Sequence, residues 1–152
     1  MPTSISVKTG SRTEMVDITS SVQKELSKAG VQDGICVVYV PHTTAGITIN
    51  EGADPDVCTD ILTNLNELVP PNRGYRHTEG NADSHIKASL MGSSVTVLVE
   101  NGRLVLGTWQ KIFFCEFDGP RSRKVYIRFQ SVAEKRPPTA LPSPTSSRER
   151  EK

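Results

Sequence analysis

Apolar residues recur along the chain with two different periods, and each period predicts its own kind of element. Ser4 to Lys8 and Thr13 to Asp17 alternate apolar with polar positions on either side of Thr9-Gly10-Ser11, which predicts a β-hairpin. Ser20-x-x-Gln23 then resembles a capping box, opening a helix with Val22, Leu26 and Ala29 on one face and Gly30 at its end. The continuous apolar run Gly34 to Val40 predicts a strand buried on both faces, followed after Pro41 by a second strand over Ala45 to Asn50. If that second strand is regular, Ile47 and Ile49 face the core, and His42, Thr44, Thr48 and Asn50 take the polar face.

Farther along, Asp54 as N-cap, Pro55 at the first helical position and Asp56 beside the positive helix end predict a helix with the apolar stripe Val57, Ile61, Leu65 and Leu68. Pro70, Pro71, Gly74 and Gly80 mark a long loop of the kind that often carries sites. Asp83 or Ser84 caps a short helix through Met91, which puts His85 in its first turn. Ser94 to Glu100 and Arg103 to Leu106 flank Asn101-Gly102, the strongest short hairpin signal in the chain. Gln110 to Phe117 and Lys124 to Gln130 complete the strands, the last with Val125, Ile127 and Phe129 inward.

Residues 1–132 suit one domain, long enough to bury a core without disulfide or metal staples, so a metal here would serve function rather than folding. Residues 133–152 carry Pro137, Pro138, Pro142, Pro144, several Ser and Thr and a mixed-charge end, the composition of a flexible tail. Eighteen basic and seventeen acidic residues give a net charge of +1, which offers no global field for nucleic acid or an anionic membrane. Any anion must therefore be recognised locally. Cys36, Cys58 and Cys115 are odd in number, widely spaced and set in apolar runs, which suits reduced thiols. With no signal-like start and no run long enough to span a bilayer, a cytoplasmic protein is expected.

The chemistry gathers in polar segments. All three histidines, His42, His77 and His85, stand in VPHTTAGITINE and YRHTEGNADSH, and imidazole is the side chain best suited to zinc-like metals near neutral pH. Their spacing matches no zinc-finger or HExxH pattern, and a loop histidine is ordinarily a solvated polar residue. Glu51, Asp54, Glu79 and Asp83 stand near them as possible ligand-orienting or proton-transfer groups. Asp118-Gly119-Pro120-Arg121-Ser122-Arg123 sets two arginines one residue apart, and paired guanidinium forks suit phosphate oxygens. Two exposed basic residues beside a hairpin are the plainer reading of the same pattern. Trp109 and Gln110 could stack on a heteroaromatic ring and bond its edge, or simply pack; Asn50 and Lys87 are further candidate ligand contacts.

HTTAGITINEGADPDV, YRHTEGNADSHIKASLMG and NGRLVLGTWQKIFFCEFDGPRSRKV, in this order, resemble the YjbQ-like family, often labelled secondary thiamine-phosphate synthase, over about Thr3 to Gln130. The resemblance implies an α+β fold with β-sandwich-like sheets and a few helices, a homotrimer, and one metal held by His42, His77 and His85. Three imidazoles favour zinc or another divalent transition metal, while pyrophosphate chemistry usually uses magnesium. The label implies coupling of a thiazole phosphate to a pyrimidine-methyl pyrophosphate with loss of pyrophosphate. The expected function is thus a metal-dependent enzyme on a small phosphorylated metabolite. Glu79 is the preferred proton-transfer group, with Glu51 and Asp83 as rivals, and Arg121, Arg123, Trp109, Gln110, Asn50 and Lys87 are the candidate substrate contacts. A metallo-phosphatase and a noncatalytic trimeric module binding metal or phosphorylated ligands are the alternatives.

Overall fold

Both periods resolve into antiparallel sheets and helices in a computed structural model that describes residues 2–132. In chain order the elements are β1 (Thr3–Lys8), β2 (Glu14–Asp17), α1 (Thr19–Ala29), β3 (Gly34–Tyr39), β4 (Ala45–Glu51), α2 (Pro55–Leu68), α3 (Ala82–Met91), β5 (Ser94–Glu100), β6 (Arg103–Leu104), β7 (Gln110–Glu116) and β8 (Ser122–Ser131). A five-stranded sheet has the order β1-β8-β3-β5-β6 and a three-stranded sheet the order β2-β7-β4. The expected tail, residues 133–152, lies outside the described residues.

The inner faces of the two sheets make the main core, in which Val7, Cys36, Val38, Val97, Val125 and Ile127 of the larger sheet join Ala45, Ile47, Ile112 and Phe114 of the smaller, with Val22 and Leu26 of α1. This gives the α+β, sandwich-like arrangement. The smaller sheet has a second cover, because Phe113 and Cys115 on its other face pack with Ala88 and Met91 of α3 and with Cys58, Leu62 and Leu65 of α2. The strand buried on both faces is therefore β7. The continuous apolar run of β3 had predicted that role for Gly34 to Val40, but Cys36 and Val38 are buried while Ile35 and Val37 are only half-buried and Tyr39 is exposed. A run of Ile and Val does not say whether a second layer lies over it.

The expected N-terminal hairpin does not form. β1 pairs with β8, Ile5 opposite Val125, whereas β2 pairs with β7, Met15 opposite Cys115. The segment between them carries the chain from one sheet to the other. Turn residues mark a change of direction without saying whether the chain returns beside itself, and here the Thr9 N–H donates to Arg121 O at 2.9 Å rather than closing a local turn. The same crossing recurs between β3 and β4 and between β7 and β8. These three crossings lie together: Gly119 N–H donates to Arg12 O at 3.0 Å and Phe117 N–H to Thr44 O at 3.2 Å. A Cβ at Gly119 would collide with Ser11 O, so this close approach requires glycine.

Local signals met mixed outcomes. The capping box is not made: α1 begins at Thr19, whose N–H donates to Asp17 Oδ1 at 2.9 Å, and Thr19 Oγ1 instead accepts from Ile112 N–H at 2.8 Å. Ala29 is exposed, while Gly30 ends the helix in a left-handed conformation as expected. Asp54 caps α2 through Asp56 N–H at 2.9 Å, with Pro55 at the first helical position. Its apolar stripe is only half covered, Leu68 being 63% exposed. The Asn101-Gly102 turn has both residues at positive φ, 52° and 72°, as a tight hairpin between β5 and β6 needs.

Candidate functional site at the meeting of three sheet crossings

At this junction the crossings supply His42, Thr44, Asp118 and Arg121, the start of β8 supplies Arg123, the long loop supplies Glu79 and Asn81, and the first turn of α3 supplies His85. Together they line a recess of about 400 Å³. The three crossings converge here because each turns from one sheet to the other at the same end of the sandwich.

Arg123 and Glu116 form the inner wall. Arg123 Nε donates to Glu116 Oε1 at 2.9 Å, Nη2 donates to Oε2, and Nη2 also reaches Thr44 Oγ1 at 2.9 Å. The carboxylate further accepts from Thr9 Oγ1 at 2.8 Å and from the N–H groups of Phe117 and Asp118. Burial pushes the Glu116 carboxyl up, but Arg123, Thr9 and the Asp118 N–H outweigh it and hold it below the usual carboxylate range. Arg123 is thus committed to a buried partner. Arg121 is half exposed, with Nε donating to Asp118 O at 2.8 Å and Nη2 to Asp118 Oδ2 at 3.0 Å. These bonds fix its direction and leave Nη1 for a ligand.

Asn81 links this wall to His77. Its Nδ2 donates to Asp118 Oδ2 at 2.9 Å, so its Oδ1 is the acceptor facing His77 Nε2 at 3.0 Å. That pattern assigns the His77 proton to Nε2 and leaves a lone pair on Nδ1. Glu79 Oε2 lies 3.6 Å from the same Nε2. His42 has the opposite tautomer: its Nε2 accepts the Lys124 N–H at 3.0 Å, so the neutral ring carries its proton on Nδ1. Desolvation and the charge of Arg123 lower its pKa and favour that neutral ring.

Other sequence candidates lie elsewhere. Asp83 and Lys87 are buried and paired at 2.7 Å; Asp83 also takes a two-point bond from Arg12 at 3.0 and 3.1 Å, and Lys87 donates to Asn66 Oδ1 at 3.1 Å. Burial raises the Asp83 pKa, but Arg12 and Lys87 outweigh it and keep the group ionised. In this arrangement the pair clasps α3 and has no face open to a ligand. Glu51, Asn50 and Gln110 lie at the far end of β4 and β7, where Glu51 pairs with Gln110 and Asn50 with Lys111, roughly 20 Å along the strand from the recess. Trp109, at the same end, is 62% exposed, and Gln110 Oε1 accepts from Gly107 N–H. Within the chain these four residues do not join the histidines.

The structure adds residues that pattern reading passed over. Asn81, Asp118, Glu116 and Thr9 orient the side chains that face the recess, and Arg12 holds the buried Asp83 of α3. Asp118 stands in the arginine turn, and Glu116 is a lone acid in an apolar strand, an anomaly that asks for a buried cation. Nothing local connects Thr9 or Arg12 to partners so distant in sequence.

The histidines are neighbours without forming a closed ligand set, His77 lining the long-loop pocket rather than the recess. His42 and His85 line the recess together, and His77 meets His85 edge to face, ring centroids 5.2 Å apart. Among the described residues no three His, Cys, Asp or Glu side chains are grouped to hold a metal ion. Nε2 of His42 accepts a backbone N–H and its Nδ1 carries the proton, so in this arrangement His42 has no ring lone pair for a metal, whereas His77, with Nε2 bonded to Asn81, keeps that of Nδ1. Cys115 and Cys36 are buried thiols pushed up to about 12 by desolvation, which makes both inert. Among the described residues no helix is long and apolar enough to cross a membrane.

The family description "UPF0047 protein YjbQ-like" matches residues 3–132. The chain is 55% identical over 122 residues to a UPF0047 protein of Methanocaldococcus jannaschii, covering 80% of this chain and 88% of that one. It is 54% identical over 125 residues to the UPF0047 protein YugU of Bacillus subtilis, covering 82% and 95%. The crystal structure of an uncharacterized YjbQ/UPF0047-family protein of Clostridium acetobutylicum superposes with a TM-score of 0.83 at 55% identity, covering 84% of this chain and 99% of that one. A protein of unknown function from Sulfolobus solfataricus, described as YbjQ-like, gives a TM-score of 0.82 at 38% identity over 86% and 96%. By sequence along nearly the whole described region, and by fold, the chain belongs to the YjbQ-like UPF0047 family.

Proposed function

We propose that this protein is an enzyme acting on a small phosphorylated metabolite bound in the His42–Arg121 recess. The carrying observation is that Arg121, aimed by Asp118, opens onto the same recess as His42, His85 and Glu79. Arg121 Nη1 and the His42 Nδ1–H suit phosphate oxygens as donors, and Glu79, exposed beside His77, suits proton transfer. Thiamine-phosphate synthase activity is the named form, since departure of pyrophosphate needs an aimed cation and two positioned heterocycles. Phosphate release by a hydrolytic route is the alternative. Assays of thiamine-phosphate formation and of phosphate release, on the wild type and Arg121→Lys, test both. If neither product forms while phosphate still binds, the protein is a binding module.

A divalent transition metal, with zinc the natural choice for imidazole donors, belongs to a second reading, favoured by the free Nδ1 lone pair of His77 and its contact with His85. It requires His42 to release the Lys124 N–H or change tautomer. Metal analysis of purified protein decides it, since about one tightly held ion per chain, lost in His77→Ala, is the stoichiometry of a single site. Assembly as a homotrimer is also part of the proposal; the exposed Leu68, Leu90 and Leu98 are apolar surface of the kind that a subunit contact would bury. Light scattering tests it. A cytoplasmic setting accords with three free cysteines, two of them buried.

A further inference from the structure

The charged recess has a neighbour of different character. His42, Thr43 and His85 line both it and an adjoining cavity of about 420 Å³. Beyond those shared residues the second cavity is lined by Ala45, Ala88, Ser89, Gly92 and Ser93, with no Lys, Arg, Asp or Glu. The first holds Glu79, Asp118, Arg121 and Arg123.

Packing fixes the uncharged compartment. Ile47 N–H donates to Gly92 O at 3.0 Å, and a Cβ on Gly46 would stand 2.7 Å from that same oxygen, so β4 and the end of α3 meet backbone to backbone. Ala88 is held from below by the cluster of Phe113, Cys115 and Phe117. The space is therefore set by glycine and alanine on two anchored elements. A ligand filling both compartments is charged at one end and uncharged at the other, with the two imidazoles beside its middle. An uncharged group gains by leaving water there, whereas a second charged group would be desolvated with no counter-ion.

We propose that the site takes a phosphomonoester of an uncharged organic group, the phosphate lying in the Arg121 compartment, the organic group against Ala88 and Ser89, and the ester linkage beside His42 and His85. This inference rests on the phosphate reading above and adds to it the chemical class of the rest of the ligand.

The test titrates the full-length protein with inorganic phosphate and with phenyl phosphate, followed by amide chemical shifts. Phenyl phosphate should bind on the order of tenfold more tightly, as burial of an apolar ring predicts. Ser89 is exposed on α3 and its Oγ bonds only the carbonyl of His85 in its own helix, so Ser89→Leu fills the cavity without disturbing the charged residues. Ser93→Leu fills it from the other rim. Each variant should cancel the tenfold gain and leave inorganic phosphate unchanged. Equal affinity of the two probes for the wild type overturns the two-compartment assignment alone, as does a gain that survives both variants. Absence of phosphate binding overturns the phosphate reading itself and this inference with it.

Discussion

Arg123 holds Glu116 at two points inside the protein, Nε to Oε1 at 2.9 Å and Nη2 to Oε2, the carboxylate fully buried and the arginine 6% exposed. That pairing divides the two arginines of one turn into a structural group and a ligand-facing group. Arg123→Met leaves a buried carboxylate without its cation and should cost about 3–5 kcal/mol in urea denaturation. The double variant Arg123→Met with Glu116→Leu should recover part of that loss, because no charge then remains unpaired. Stability near wild type for the single variant would contradict the pairing.

Arg121→Lys tests the other half of the division. Charge is kept but the fork that Asp118 aims is lost, so phosphate affinity should fall by about 1–3 kcal/mol with unfolding unchanged within about 0.5 kcal/mol. Equal phosphate affinity in the variant and the wild type would remove Arg121 from the site.

Glu79→Gln separates binding from chemistry. The side chain is exposed and makes no buried contact, so fold and ligand affinity should persist. Turnover should drop roughly a hundredfold if Glu79 moves the proton, within the usual range for lost acid–base help. Unchanged turnover transfers that role to His77.

Acid should destabilise the protein in a defined window. Asp83, Glu116 and Asp118 have folded pKa values below their ordinary ones. Their contribution to stability is full above the ordinary carboxylate range, about pH 4, and is lost as pH falls through the lowered folded values. Urea midpoints should fall steeply below about pH 4, and less steeply in Asp118→Asn, which has one depressed carboxylate fewer.

His42 should titrate below its ordinary 6.5 and carry its proton on Nδ1 when neutral. Long-range proton–nitrogen spectra read both properties directly. A neutral ring protonated on Nε2 at pH 7 would break the assignment and leave the Nδ1 lone pair for a metal.

Sequence alone determined the elements whose causes are local. Asp54-Pro55-Asp56 wrote the start of α2, Gly30 the end of α1, Asn101-Gly102 the β5–β6 turn, and period-two alternation the inward face of β8, because each depends on backbone preferences within a few residues. The resemblance to the YjbQ-like family further implied the α+β fold and a pocket where the histidine segments and the arginine turn meet. The tertiary structure decided everything that depends on which segments cross between sheets. Thr9-Gly10-Ser11 became a crossing rather than a hairpin, β7 rather than β3 became the doubly covered strand, and Arg123 and Lys87 received buried carboxylates while Arg121 stayed open. Spacing carries no record of partners more than seventy residues apart, as Arg12 and Asp83 are, and a charged residue reads the same in sequence whether its counter-ion is water or a buried side chain.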